Sequence, residues 1–328
     1  MLTDESMKKP LRYDELARFH VACPPRESFG PNSEHPYIAF YLKGSDTALS
    51  TWLKNLPCPV IGIGEGDLSE ACDVVLADEK HLSLLAKNIT QAPLAAMVLV
   101  QHLRASETLS TEDALTAESF AYAAVQNGPE FQAWLEHYEG TPLPTSDAPS
   151  LLIEVNPNNE MDLTFNRPDT RNAIGTDMRD ALCSALDLAL TADIPKVTIT
   201  GRGATFSTGG AIEEFGEVSD PATAHWVRSL RLPAWRLARL KDKLEIHVHG
   251  AAIGAGAEMA AFGQHVTASS KAWFQLPELK YGLIPGAGGT ASIPRRIGRQ
   301  TTAYMALSME KIRAETALEW GLIDAIID

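Results

Sequence analysis

Two glutamates twenty residues apart, Glu258 and Glu278, each stand near a run of small residues, GAAIGAGA over 250–257 and GAGG over 286–289. No side chain in the first run is larger than that of Ile253, so the backbone there can approach a ligand closely. A turn of this kind leading into a helix aims unpaired N–H groups and the positive helix end at one spot, which suits a developing negative oxygen. Glu278 follows a proline in FQLPE, and YGLIP leads from it to the second glycine run. A base, an acid and donors for an enolate oxygen are what a proton-shuttling reaction at a carbonyl-activated carbon requires. Taken singly, Glu258 reads as a helix-dipole partner and Glu278 as a solvated loop residue. The pair, with both turns, points to chemistry.

The elements that must hold these groups follow from hydrophobic periodicity. An alternating run over 244–248 predicts a strand ending at His249-Gly250, and a helix starting at Glu258 follows the small residues. Upstream, strands are expected over 151–155, 161–165 and 196–200, with an amphipathic helix over 176–190 and a helix over 224–242 interrupted at Pro233. Such strand–helix alternation with β-branched strands argues an α/β core. The first half reads differently. A short helix over 13–20 precedes a small β-α-β pattern over 37–63; then come a strand over 73–78 and a helical stretch over 81–103 bent at Pro93. In that stretch Leu94, Met97, Val98 and Gln101 fall at helical spacing and predict a core-packing face. Helices over 111–126, opening at Ser110-Thr-Glu-Asp113, and 130–138 complete it. The proline-rich polar stretch 139–150 reads as a linker between units 1–138 and 151–328.

Several attractive patterns lack a necessary part. GIGEGD after the strand at 59–63 has Asp67 where a dinucleotide fingerprint needs its third glycine. Ser207 lacks the G-x-S-x-G setting of a nucleophile. His247 and His249 share one side of a strand but have no third ligand, so no metal is expected. Arg228, Arg231, Arg236 and Arg239 read as a solvated face. The chain has 328 residues, enough for two folding units, and a net charge of −14, which argues against a nucleic-acid surface. Cys23, Cys58, Cys72 and Cys183 form neither a CxxC pair nor a dense framework. With no apolar signal region at the start and no uninterrupted apolar run of about 18 residues, neither secretion nor a membrane span is expected, and the location expected is cytoplasmic.

Taken in order, HGAAIGAGAEMA and QLPELKYGLIPGAGGT, with NRPDTRNA and GRGATFSTGGAIEE upstream, resemble the motifs of the enoyl-CoA hydratase/isomerase (crotonase) superfamily. The likeness extends over 163–328. It implies a ClpP/crotonase spiral core of repeated β-β-α units over 151–328, here preceded by a mostly helical region with a small β-α-β part. It implies an acyl-CoA substrate of fatty acid metabolism, hydrated at an α,β double bond, with coenzyme A entering as part of the substrate and no separate cofactor. The thioester oxygen would lie between the N–H groups of Gly210 and Ala255. Glu258 would activate water, and Glu278 would deliver a proton to the α-carbon. By position in the motifs, Thr170 and Arg171 would bind the CoA, and Gly210, Ala211, Ile212 and Glu213 would surround the acyl end together with Ala255. Ala211 replaces the usual aspartate of the first turn, while Thr208 and Ala255 replace alanine and glycine. The resemblance implies a homo-oligomer, a trimer or a dimer of trimers. Isomerisation, thioester hydrolysis or ring cleavage, and a non-catalytic CoA-binding assembly subunit, are the alternatives. The family usually continues beyond a segment like WGLIDAIID into a helical tail, and AESFAYAAVQNGPEFQAWLE, at 117–136, resembles that tail. The helices over 81–138 are therefore expected to occupy its place.

Overall fold

A computed structural model describes residues 9–140, 142–144, 146–218 and 220–328. Stretch 1–8 of the charged opening and positions 141 and 145 of the expected linker lie outside the described residues. The first half begins with helix α1 (Tyr13–Val21), strand β1 (Ile38–Tyr41), helix α2 (Thr47–Lys54) and strands β2 (Val60–Ile63) and β3 (Val74–Leu76). Asp46 starts α2 by accepting from the N–H groups of Ala48 and Leu49 at 2.8 and 3.0 Å. β2 is buried at every position, as the central strand of a parallel sheet should be, and the order is β1-β2-β3. The β-α-β pattern thus extends to a third parallel strand. After β2 the GIGEGD segment runs into a short 3-10 turn, Asp67–Ala71, not a helix.

Four helices follow: α3 (Leu82–Gln91), α4 (Pro93–Ser106), α5 (Thr111–Gln126) and α6 (Pro129–Glu136). Pro93 takes the first position of α4, where its missing N–H costs nothing, and the chain bends there by 108°. The free N–H groups of Leu94 and Ala95 donate to Glu130 of α6 at 2.7 and 3.0 Å, a cap no local residue supplies. Ser110 caps α5 through Asp113 N–H at 3.0 Å. The buried face of α4 is Ala95, Ala96, Leu99, Val100 and Leu103; Leu94, Met97 and Val98 are half-buried and Gln101 is exposed. The buried face is therefore rotated from the expected one, with Val98 still packed against the core. No single helix among the described residues is long and apolar enough to cross a membrane.

The second half comprises β4 (Leu151–Val155), β5 (Met161–Phe165), α7 (Thr176–Thr191), β6 (Val197–Gly201), α8 (Pro221–Arg231), α9 (Ala234–Leu240), β7 (Leu244–Val248), β8 (Ala251–Ile253), α10 (Ala255–Ala260), β9 (His265–Ala268), β10 (Trp273–Gln275), α11 (Gly289–Ser308), β11 (Ile312–Arg313), α12 (Ala314–Trp320) and β12 (Ala325–Ile326). Six strands pair in the order β12-β9-β7-β6-β5-β4, with only β4 and β5 antiparallel. A second sheet, β11-β10-β8, carries the segments that hold the two glutamates. His247 and His249 bond separately, Nδ1 to Thr267 Oγ1 at 2.6 Å and Nε2 to Gly203 O at 3.0 Å. The two halves share one hydrophobic core, in which α3, α4 and α5 lie against α11 and α5 lies against α8. Asn88 of α3 donates to the carbonyls of Leu307 and Ser308 at 2.9 Å, closing the end of α11 from 219 residues away. A smaller core of Leu16, Phe40, Leu49, Leu53 and neighbours fills the N-terminal sheet.

Candidate active site

The first turn, between β6 and α8, is held by Asn172. This residue is fully buried with φ +54°, a conformation asparagine tolerates better than most residues. Its Nδ2 donates to the carbonyls of Arg202, Thr205 and Phe206 at 2.9–3.1 Å, and its Oδ1 accepts from Arg167 N–H at 2.9 Å. Ser207 is part of the same scaffold: its hydroxyl donates to Asn172 O at 2.8 Å and accepts from Gly209 N–H at 3.1 Å. Arg167 serves structure as well, pairing with Asp177 at 2.8 Å.

The second turn meets the first at Gly209. A Cβ there would stand 2.6 Å from Ile253 O and 3.3 Å from Ala255 N, so the two chains touch where the donors lie. Helix α10 starts at Ala255, three residues before the expected Glu258, because Gly254 at φ +49° ends β8 abruptly. Ala255 therefore occupies the first helical position, where an N–H has no intrahelical partner. Neither Gly210 N–H nor Ala255 N–H donates to another group among the described residues. Pairing of β8 with β10 sets Gln275 opposite Ile253, and Gly254 N–H donates to Gln275 O at 2.9 Å. Glu278, at the head of the 3-10 turn Glu278–Tyr281, consequently reaches back over Gly254. A Cβ on that glycine would lie 2.6 Å from Glu278 Oε1.

Glu258 points the other way along the cavity. Its Oε2 accepts from the N–H groups of Ala287 and Gly289 at 2.7 and 2.8 Å. Three further residues, none of them expected at the site from the sequence, complete this end. Glu118 of α5 accepts from Gly288 and Thr290 N–H on the other side of the same turn. Tyr122, one helical turn further on, packs so closely that a Cβ at Gly286 would fall 2.0 Å from its ring. Arg228 lies over the Tyr122 ring at 3.6 Å and donates to Gly286 O. Arg228 is thus a lining residue of the site, which corrects its assignment to a solvated face; Arg236 is half-buried and pairs with Asp187 at 2.9 Å, while Arg231 and Arg239 are exposed.

One cavity of about 800 Å³ gathers Thr170, Arg171, Gly210, Ala211, Ile212, Glu213, Ala255, Glu258 and Glu278. Tyr122 and Arg228 close one end, and Pro142, Leu143 and Pro144 of the stretch expected as linker also face it. The volume is in the range of a small-molecule site.

Burial dominates the electrostatics. It holds the Glu258 carboxyl well above the usual carboxylate range, reinforced by the charges of Glu278 and Glu118 and opposed by the two N–H bonds. Burial likewise raises Glu118, against the bonds from Thr290 and Gly288. Glu278 is half-buried as a residue, and its Oε2 is shut off from solvent with no partner among the described residues. Burial pushes this carboxyl up to about 8, so it keeps its proton at neutral pH. A folded-state value above the unfolded 4.5 means stability that is complete below 4.5 and is lost as pH rises through 8. Glu278→Gln, which cannot ionise, should therefore gain melting temperature relative to the unmodified chain as pH rises across that window. A difference independent of pH would show that Glu278 does not hold this proton.

The fold and site define a class: an α/β protein in which two glycine turns expose backbone donors to a cavity containing two buried carboxyls. A family model described as enoyl-CoA hydratase/isomerase matches residues 157–328, and the chain belongs to that family. Among similar proteins, 2,3-dehydroadipyl-CoA hydratase of Escherichia coli (strain K12) is 36% identical over 166 residues, which cover 50% of this chain and 64% of that protein. The 1,2-epoxyphenylacetyl-CoA isomerase of the same strain is 34% identical over 173 residues, 51% of this chain and 66% of that one. The chain therefore spans just under two thirds of the length of these curated relatives. Of solved structures, an enoyl-CoA hydratase of Mycobacterium smegmatis superposes with a TM-score of 0.51 at 26% identity, covering 55% of this chain and 70% of the other. An enoyl-CoA hydratase/isomerase of Mycobacterium paratuberculosis gives 0.51 at 25%, covering 56% and 75%. The fold is crotonase-like.

Proposed function

We propose that the chain hydrates the double bond of an α,β-unsaturated acyl-CoA thioester. One observation carries the reading: the free N–H groups of Gly210 and Ala255 and the buried carboxyls of Glu258 and Glu278 line the same cavity. In this mechanism the thioester oxygen accepts from both N–H groups, which stabilises the enolate-like transition state. The oxygen of water bonds to the β-carbon as Glu258 takes one of its protons. Glu278 gives its proton to the α-carbon, and transfer between the two carboxyls restores the starting state. The sum is substrate plus one water. Two carboxyls acting on one water titrate as a unit, and the reactive state is the one in which the pair holds a single proton, on Glu278, with Glu258 ionised against the Ala287 and Gly289 N–H groups.

Thr170 and Arg171 hold the CoA in this reading, and 210–213 the acyl end. Coenzyme A enters only as part of the substrate, without a separate cofactor. We also propose a cytoplasmic homo-oligomer, a trimer or a dimer of trimers, as the family resemblance supports. Residues 1–138, joined through 139–150 to 151–328, would supply α3–α6 in the place of the family's helical tail; their packing on α11 and α8 supports this.

Mass-spectrometric product analysis over a panel of enoyl-CoAs, from crotonyl-CoA to larger acyl groups, tests the proposal. The expected result is a product heavier by one water. A moved double bond at constant mass would make the chain an isomerase, free CoA a hydrolase, and binding without turnover across the panel a non-catalytic CoA-binding subunit.

A further inference from the structure

Four successive backbone N–H groups of the second glycine turn are divided between two carboxyls. Ala287 and Gly289 donate to Glu258 Oε2 at 2.7 and 2.8 Å. Gly288 and Thr290 donate to Glu118 Oε1 and Oε2 at 2.7 and 2.9 Å. The turn is clamped from both sides, once from α10 and once from α5. Glu118 is 1% exposed and lies outside the lining of the cavity, so it has no access to substrate. Its partners extend behind the turn. Thr290 Oγ1 donates to Glu118 Oε2 at 2.6 Å and lies 2.7 Å from His102 Nε2. With the hydroxyl proton committed to Glu118, the histidine is the donor to Thr290, its proton on Nε2. Burial lowers His102 to about 4, in keeping with a neutral ring.

We propose that Glu118 is a positioning residue for Glu258: it fixes the turn whose Ala287 and Gly289 N–H groups aim the Glu258 carboxyl at the cavity. The inference rests on Glu258 working as an acid–base group. Two effects follow. Loosening the turn misplaces Glu258, and displacements on the scale of 1 Å can cost about 100-fold in rate. Removing the Glu118 charge also eases ionisation of Glu258, because like charges oppose one another. The other ionisable groups around Glu258 are Glu278 from the β10 side, Tyr122 of α5, Arg228 of α8 beyond the Tyr122 ring, and His102 of α4 behind Thr290. None of these changes in the variant.

The test is Glu118→Gln, read in three ways. Turnover on the enoyl-CoA the chain accepts should fall by about tenfold or more with KM within about threefold, since substrate contacts are intact. The acid limb of the pH–rate profile should move to lower pH. The Glu258 resonance in ¹³C-carboxyl-glutamate NMR, assigned with Glu258→Gln, should titrate at least about half a unit lower. A folded variant with turnover, pH profile and Glu258 titration all unchanged would reduce Glu118 to a structural role. If Glu118→Gln does not fold, Thr290→Val removes the hydroxyl link while leaving both backbone bonds. A loss of about threefold in turnover and a displaced Glu258 titration are expected there, and wild-type values for both would overturn the proposal. The NMR titration needs no substrate. A chain that leaves every enoyl-CoA intact would end the hydration reading, while the titration would still decide whether Glu118 governs Glu258.

Discussion

Glu278→Gln and Glu258→Gln should each lower hydration of an enoyl-CoA by at least about 100-fold, with KM changed far less. The amide matches the carboxyl in shape, so the new side chain at position 278 can still lie over Gly254, and an amide oxygen at 258 can accept from both Ala287 and Gly289 N–H. What Glu278→Gln loses is the carboxyl proton given to the α-carbon, and what Glu258→Gln loses is the carboxylate that takes a proton from water. At position 278 that proton is present at neutral pH, since the group titrates near 8. The double variant should fall little below the slower single one, because two groups serving one water act as a unit and their losses do not add. Following the enoyl absorbance, with thermal melting to verify folding, measures all three. Near-normal turnover in both single variants would sink the acid–base assignment, and additive losses would separate the two groups.

The largest effect on stability should come from Asp73, far from the cavity. This carboxylate, 1% exposed beside β3, accepts from Arg104 Nε at 2.7 Å and again from Arg104 Nη2, from Arg299 at 3.2 Å and from Val60 N–H at 2.8 Å. It joins three elements, the N-terminal sheet, α4 and α11. The arginine side chains are only 16% and 10% exposed, and Asp73→Ala leaves Arg104 without a carboxylate and Arg299 with only Glu107, at 3.2 Å. Breaking a buried pair from one side costs about 3–5 kcal/mol. Urea unfolding should show that loss as a lower midpoint at an unchanged slope. A loss below about 1 kcal/mol would mean that the carbonyls of Leu56, Cys58 and Cys72, which the same arginines also contact, suffice to hold the sheet.

The candidate site was legible where it is local. Glycine runs announce close backbone approach and Glu258 and Glu278 stand out as carboxyls near them, but the N–H groups that aim Glu258, of Ala287 and Gly289, lie 29 and 31 residues away. Period alone indicates β4, β5, β6, β7 and α7 of the second half, whereas the short strands β8–β12 and helices α11 and α12 escape it. What stayed hidden depends on contacts across the chain. Glu118 lies in the apolar stripe of Ala114, Leu115, Tyr122 and Val125, and an acid in that stripe is the one local sign of a buried partner. Its partner turn is 170 residues away, beyond any local pattern. Arg228 looked solvated because charge is usually outward; only the fold sets it over Tyr122. On α4 the larger residues suggested one face, whereas the fold buries the alanine side.

The same separation orders events during synthesis. Chains grow at roughly 5–20 residues per second, so α5 leaves the ribosome about ten to thirty seconds before the turn at Gly288 exists. Through that interval α4 can already meet α3, α5 and the N-terminal sheet, whereas Glu118 has none of its partners in the turn. The step that packs α11 against these helices also desolvates Glu118 against the turn at Gly288, so docking of the N-terminal helices and assembly of the candidate site are one event.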